Sequence, residues 1–302
     1  INDKSKELIN LYICIQKQDK EFFEKINNIN KSWLLLEELI KGYSKELLNF
    51  YNNNYSINDF VNTNSIKLKL ILGNNLNINN KVFIQETKKN LKRRKKRFKE
   101  IEITENKKMS PNTVLDNFET AFKSAFYMYI RHLYNNIEAY NINSSFATAI
   151  FYFIREYCYA SMFRYNKSGE FNVPYGGMSY NRKDFKAKIN RLSDEDLVKK
   201  LNNAIITCFD FEEFLTKVNP QENDFIFLDP PYHESFSSYA NNEFDEKDQI
   251  RLANFLKNTK ANFMLIIKNT DLIYSLYKNY NIKVFDKQYL VNFKNRNDKH
   301  GK

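Results

Sequence analysis

The chain has 302 residues, with 47 Lys and Arg against 36 Asp and Glu, giving a net charge of +11 and a pI near 9.2. This balance favours a polyanionic partner, nucleic acid first, over an acidic protein or small metabolite; a Lys-, Asn- and Ile-heavy composition is the alternative source of the charge. Cys14, Cys158 and Cys208 lie far apart in apolar contexts, which argues against a disulfide framework or metal cluster. No apolar run approaches the roughly 20 residues that span a bilayer, so the expectation is a cytoplasmic protein.

In chain order, apolar residues from Ser5 to Ile26 fall with helical spacing, and a second helix is expected over Ser32 to Tyr51. The Asn-rich stretch from Asn52 to Asn80 reads as loop around a small element at Ile66 to Leu72. Lys81 to Glu100 reads as an exposed helix carrying a dense basic run from Lys88 to Lys99, either simply solvated or touching phosphates. After Ser110-Pro111, aromatic-rich helices are expected near Thr113 to Asn141 and Ser144 to Phe163, their rings belonging to a core, followed by a loop from Tyr165 to Arg182.

The pattern then changes. Ile205 to Cys208, Phe225 to Leu228 and Asn262 to Ile267 are apolar runs of strand length. Helical segments at Phe211 to Lys217, Lys247 to Asn258 and Asp271 to Tyr280 alternate with them. Such alternation predicts an α/β fold with a largely parallel sheet and a helical insertion. Ligands of open α/β sheets bind beyond the carboxyl ends of the strands, where Asp229-Pro230-Pro231-Tyr232 would lie.

That tetrapeptide suits transfer to an exocyclic amino group. The nitrogen is a poor nucleophile because its lone pair is delocalised into the ring. The Asp229 carboxylate and the Pro230 carbonyl can both accept its hydrogen bonds and localise the lone pair toward a sulfonium methyl. Consecutive prolines hold the carbonyl direction and remove competing N–H groups. Tyr232 offers a flat face for a base flipped out of the duplex. A tight proline turn after a strand is the plainer alternative.

The string Arg164 to Gly176, followed about fifty residues later by Phe227 to Tyr232, resembles the Dam-like bacterial DNA adenine methyltransferases. So do Asn2 to Tyr12, Phe236 to Leu256 and Met264 to Tyr280, in the family's order. The resemblance implies a Rossmann-like sheet for S-adenosylmethionine-dependent methyl transfer, formed by residues 1–30 and 183–302. Residues 31–182 would be a mostly helical DNA-recognition insertion. It implies adenine N6 methylation of double-stranded DNA in the bacterial nucleoid, with a cognate restriction endonuclease as a candidate partner and no metal. Asp229, Pro230, Pro231 and Tyr232 would carry the transfer. Asp3, Asp210, Phe211 and Asp229 would bind the methyl donor, Asp3 at the ribose hydroxyls and Asp210 and Phe211 at the adenine. Tyr159, Arg164, Asn166, Lys167, Asn172, Tyr175 and Tyr239 would contact DNA.

For Asp3 and Asp210, an ordinary helix cap is the competing role; for Tyr159, a place in the core. The family's GATC-methylating members carry Asn-Gly before a Leu-Cys-Arg-Tyr-Asn string, whereas Ala160-Ser161-Met162-Phe163 precedes Arg164 here, so a GATC target is not expected. The family's Lys-bearing segment and Gly-rich turn are expected upstream of Ile1, and its last strand beyond Lys302. Cytosine N4 methylation and a non-catalytic DNA-binding module are the rival functions.

Overall fold

A computed structural model describes residues 1–53, 56–232, 244–285, 287–288 and 300–301. The chain is mixed α/β and mostly helical, with a small parallel sheet, and divides into two compact units. One comprises Asn10–Phe163 and Glu170–Ile205; the other comprises Ile1–Ile9, Arg164–Gly169 and Ile206–Lys302. Residues 10–30 and 183–205 therefore group with the helices, and 164–169 with the strands, unlike the division expected from sequence.

The helical unit begins within α1 (Lys6–Gln16) and continues through α2 (Lys20–Gly42) and α3 (Ser44–Tyr51). The first expected helix is broken at Gln18, whose φ of 46° is left-handed, and Asp19 restarts it by accepting from Phe22 N at 2.8 Å. The Asn-rich stretch forms α4 (Ile57–Thr63) and α5 (Ser65–Leu76), not loop. Ser56 caps α4, and Leu68, Ile71, Leu72 and Leu76 of α5 are buried. Next come α6 (Asn80–Glu105), α7 (Pro111–Asn135) and α8 (Ser144–Tyr157). Ser110 caps α7 with Pro111 at its first turn, where the missing N–H costs nothing. Two short helices, α9 (Phe185–Arg191) and α10 (Glu195–Asn202), complete the unit. Gln16 Nε2 holds the end of α10 by donating to the carbonyls of Leu201 and Ala204, and Gln18 Nε2 donates to the Leu192 carbonyl at the end of α9.

The centre of this unit is Trp33, fully buried against the rings of Phe126, Phe153, Tyr157 and Tyr175 at centroid distances of 4.5–6.1 Å. Into this aromatic core projects the completely buried Lys123 of α7. Its ammonium lies 4.9 Å from the Trp33 ring centroid, 2.5 Å from a Glu37 oxygen and 3.0 Å from a Glu119 oxygen. It also donates to the Asn181 carbonyl at 2.7 Å. A buried ammonium is tolerable only with such pairing.

The second unit contains α11 (Phe211–Val218), β1 (Phe225–Leu228), α12 (Glu246–Asn258), β2 (Asn262–Leu265) and α13 (Asp271–Tyr277). The strands pair in parallel, Phe225 with Asn262 through Leu228 with Leu265. Ile226, Leu252, Leu256 and Ile273 lie in the buried cluster where the helices pack. The expected strand over Ile205 to Cys208 contributes a single parallel bridge, Thr207 with Asn2. Lys287–Gln288 and His300–Gly301 form a short antiparallel pair. No helix among the described residues is long and apolar enough to cross a membrane.

Candidate active site

Three carboxylates stand at the carboxyl ends of parallel segments. Asp229 directly follows β1, and the ladder holds to the preceding residue, because Ile266 N donates to the Leu228 carbonyl at 3.0 Å. Pro230 and Pro231 then end the ladder by removing two donors. Asp229 is exposed, while Pro230 and Tyr232 are half-buried.

Asp3 and Asp210 come together through the second parallel pairing. Thr207 N donates to the Ile1 carbonyl at 2.9 Å, and Asn2 exchanges side-chain bonds with the Phe209 backbone at 3.0 Å in both directions. Asp210 also caps its helix, whereas Asp3 does not: Ser5 caps α1 by accepting from Leu8 N at 3.3 Å, and Asp3 makes a local turn just ahead of that cap. Asp3 Oδ1 accepts from Ser5 N at 2.7 Å, and Asp210 Oδ1 accepts from Glu212 N at 3.0 Å at the start of α11. In each case the bond falls on Oδ1, so the second oxygen carries no bond among the described residues. Capping and ligand binding are therefore compatible.

Two residues of α12 that the sequence reading passed over connect these parts. Gln249, fully buried, donates from Nε2 to the Pro231 carbonyl at 3.0 Å. Its Oε1 is buried with no hydrogen-bond partner. Two residues on, Arg251 donates to Asp210 at 2.8 Å, Glu212 at 2.8 Å and Asp248 at 2.6 Å, and its guanidinium lies 4.8 Å from the Phe211 ring centroid. Partial burial opposes ionisation of Asp210, but Arg251 and the Glu212 amide outweigh it and hold the carboxyl below its usual range. Phe211 also meets Phe244 at 5.5 Å. The signal for Gln249 was available: with Leu252, Ala253 and Leu256 it occupies the buried stripe of α12, a polar residue at an apolar register.

The residues expected at DNA separate into several environments. Tyr159 is 43% exposed and thus outside the core, in a short 3-10 turn whose Ala160 and Ser161 both have φ of 53°. Arg164 and Lys167 are exposed. Asn166 shapes a turn, its side chain accepting from Ser168 N and its carbonyl from Gly169 N, both at 3.0 Å. Asn172 is half-buried. Tyr175 is a correction: it is 7% exposed, packed against Trp33, with its hydroxyl donating to Asn181 Oδ1 at 2.8 Å. Its ring is committed to the core, so it supports the segment and cannot stack on a base in this conformation. Tyr239 lies outside the described residues, as does His233.

The α/β unit thus sets acidic residues at the carboxyl ends of parallel segments, one of them opening Asp-Pro-Pro-Tyr. The chain belongs to the D12 class N6 adenine-specific DNA methyltransferase family, which matches residues 1–291. It is 37% identical over 139 residues to the type II methyltransferase M.CviBI of Paramecium bursaria Chlorella virus NC1A, covering 46% of this chain and 51% of that protein. It is 35% identical over 166 residues to the type II methyltransferase M.MjaIII of Methanocaldococcus jannaschii, covering 51% and 54%. It is 34% identical over 166 residues to the retron Ec67 DNA adenine methylase of Escherichia coli, covering 54% and 55%. The chain spans about half the length of the curated relatives it matches.

Proposed function

We propose that this protein transfers a methyl group from S-adenosylmethionine to adenine N6 in duplex DNA, with Asp229 to Tyr232 as the transfer site. The observation that carries the reading is the placement of Asp229 immediately beyond β1, with Gln249 holding the Pro231 carbonyl. Membership of the D12 class supports the choice of adenine.

The methyl donor fits the residues present: Asp3 and Asp210 each keep one carboxylate oxygen for a hydroxyl or amino group, and half-buried Phe211 supplies an apolar surface beside Asp210. When bound, this group supplies an electrophilic sulfonium methyl. The chain's own part is to bind and orient. Asp229 and the Pro230 carbonyl accept the two amino hydrogens of adenine and direct its lone pair, and Asp229 is the nearest base for the proton released. Tyr232 receives the flipped base, offsetting part of an unstacking cost of about a few kcal/mol. In this reading the sheet is Rossmann-like, Tyr159 and the helical unit recognise DNA, and so do Arg164, Asn166 and Lys167, which group with the strands. The type II names of two relatives support a place beside a cognate endonuclease.

The test is incubation of the full-length protein with labelled S-adenosylmethionine and unmethylated duplex DNA, followed by digestion to nucleosides. N6-methyladenine is the expected product. N4-methylcytosine in its place would overturn the adenine assignment.

A further inference from the structure

The basic run of α6 divides into two sets. Arg94, Lys95 and Lys99 turn toward the protein: Lys95 donates to the Phe50 carbonyl and lies 4.2 Å from that ring's centroid, and Lys99 lies 5.4 Å from the Tyr51 ring centroid. Burial lowers the pKa of both Arg94 and Lys95, with the neighbouring cations Arg93 and Lys99 adding to it. The second set, Lys89, Lys92, Arg93, Lys96 and Arg97, is exposed. At 3.6 residues per turn these five fall within an arc of about 140°, opposite the buried stripe of Phe83, Thr87, Leu91 and Phe98. Their span is about 12 Å along the axis.

The two ends of the stripe are neutralised locally, Lys89 by Glu86 and Arg97 by Glu100, both at 3.2 Å. The middle is not. Among the described residues no carboxylate lies within ion-pair distance of Lys92, Arg93 or Lys96, and the contact Arg93 makes is with the neutral Asn90. Like charges crowded on one exposed face oppose folding unless a polyanion is available to offset them. Successive turns place these cations about 6 Å apart, close enough to meet phosphates along one strand.

We propose that the α6 stripe centred on Lys92, Arg93 and Lys96 is a phosphate-backbone contact for duplex DNA, additional to the segment from Tyr159 to Tyr180. It rests on the DNA-modifying reading and deepens it, because it supplies affinity without sequence information. Its neutralisation weakens binding to all duplexes alike.

The experiment measures binding of the full-length protein to two duplexes of unrelated sequence over a range of salt concentrations. The variants are Lys92→Ala/Arg93→Ala/Lys96→Ala and a charge-matched control, Lys199→Ala/Lys200→Ala/Lys257→Ala, drawn from exposed sites on other helices. Alanine preserves helix propensity, and an unchanged melting temperature verifies folding. The stripe variant should bind both duplexes roughly 10- to 100-fold more weakly, and its slope of log K against log salt should be shallower by about 2.7. The control should keep the wild-type slope. A wild-type slope in the stripe variant, or an equal loss in the control, would overturn the stripe while leaving the enzyme reading intact. Failure of the wild-type protein to bind any duplex would overturn both.

Discussion

Replacing Gln249 by Met separates stability from catalysis. The side chains are near-isosteric, so Gln249→Met leaves no cavity in a site that is fully buried. It removes the Nε2 bond to the Pro231 carbonyl, a net loss of about 0.5–1.5 kcal/mol. It also removes the partnerless Oε1, whose desolvation costs about 1–3 kcal/mol. Pro231 is exposed, and its carbonyl can bond water in the variant. At their central values the two terms leave the variant about 1 kcal/mol more stable, so the melting temperature should stay level or rise by about 2–4 °C. Catalysis has no such compensation, because the turn that carries Asp229 and the Pro230 carbonyl loses its anchor. Misplacement on the order of 1 Å costs about 100-fold. Thermal melts and steady-state methylation should therefore show an undiminished melting temperature with kcat reduced roughly 10- to 100-fold. A native kcat at native stability would refute the positioning role.

Three further outcomes follow from the same structure. Lys123→Met should destabilise the helical unit by about 1–3 kcal/mol, measured by urea denaturation, because it removes the buried donor to Glu37, Glu119 and the Asn181 carbonyl while Arg182 still pairs with Glu119. Burial opposes ionisation of Glu119, yet Arg182 and Lys123 hold its carboxyl below the usual range, and Asp210 is likewise held down by Arg251. Depressed carboxylates contribute stability above their unfolded pKa of about 4 and lose it as pH falls through the folded values. Melting temperature should accordingly drop below about pH 4, less steeply in Glu119→Gln, as followed by circular dichroism. Arg164→Ala should weaken duplex binding and flatten its salt slope by about 1, read by fluorescence anisotropy.

The parts of the fold legible in the sequence are those where local signals agree. Phe225 to Leu228 is an apolar run ended by Asp-Pro-Pro, and the strand occupies those residues. The helix expected over Lys247 to Asn258 forms as α12 one residue earlier, at Glu246, where the Asp245/Asp248 capping box starts it. Elsewhere the signals conflict. Asn-rich text around α4 and α5 has loop propensity, and only burial of Phe60, Val61 and Leu68 overrides it. Thr207 pairs with Asn2, more than two hundred residues away, and a one-bridge partner leaves little periodicity to detect. Lys123 resembles any solvated lysine until its register with Phe118, Phe122 and Phe126 on α7 is considered. At the site, Asp229 was legible through its motif, whereas Gln249 and Arg251 make contacts no motif records, and Tyr175, expected to contact DNA, packs in the core.

The central claim is tested most directly by Asp229→Ala, assayed side by side for methyl transfer and for duplex binding in the full-length protein. The account predicts loss of N6-methyladenine formation with DNA affinity retained, since the exposed Asp229 carboxylate anchors no packing. Transfer at the wild-type rate in this variant would contradict it.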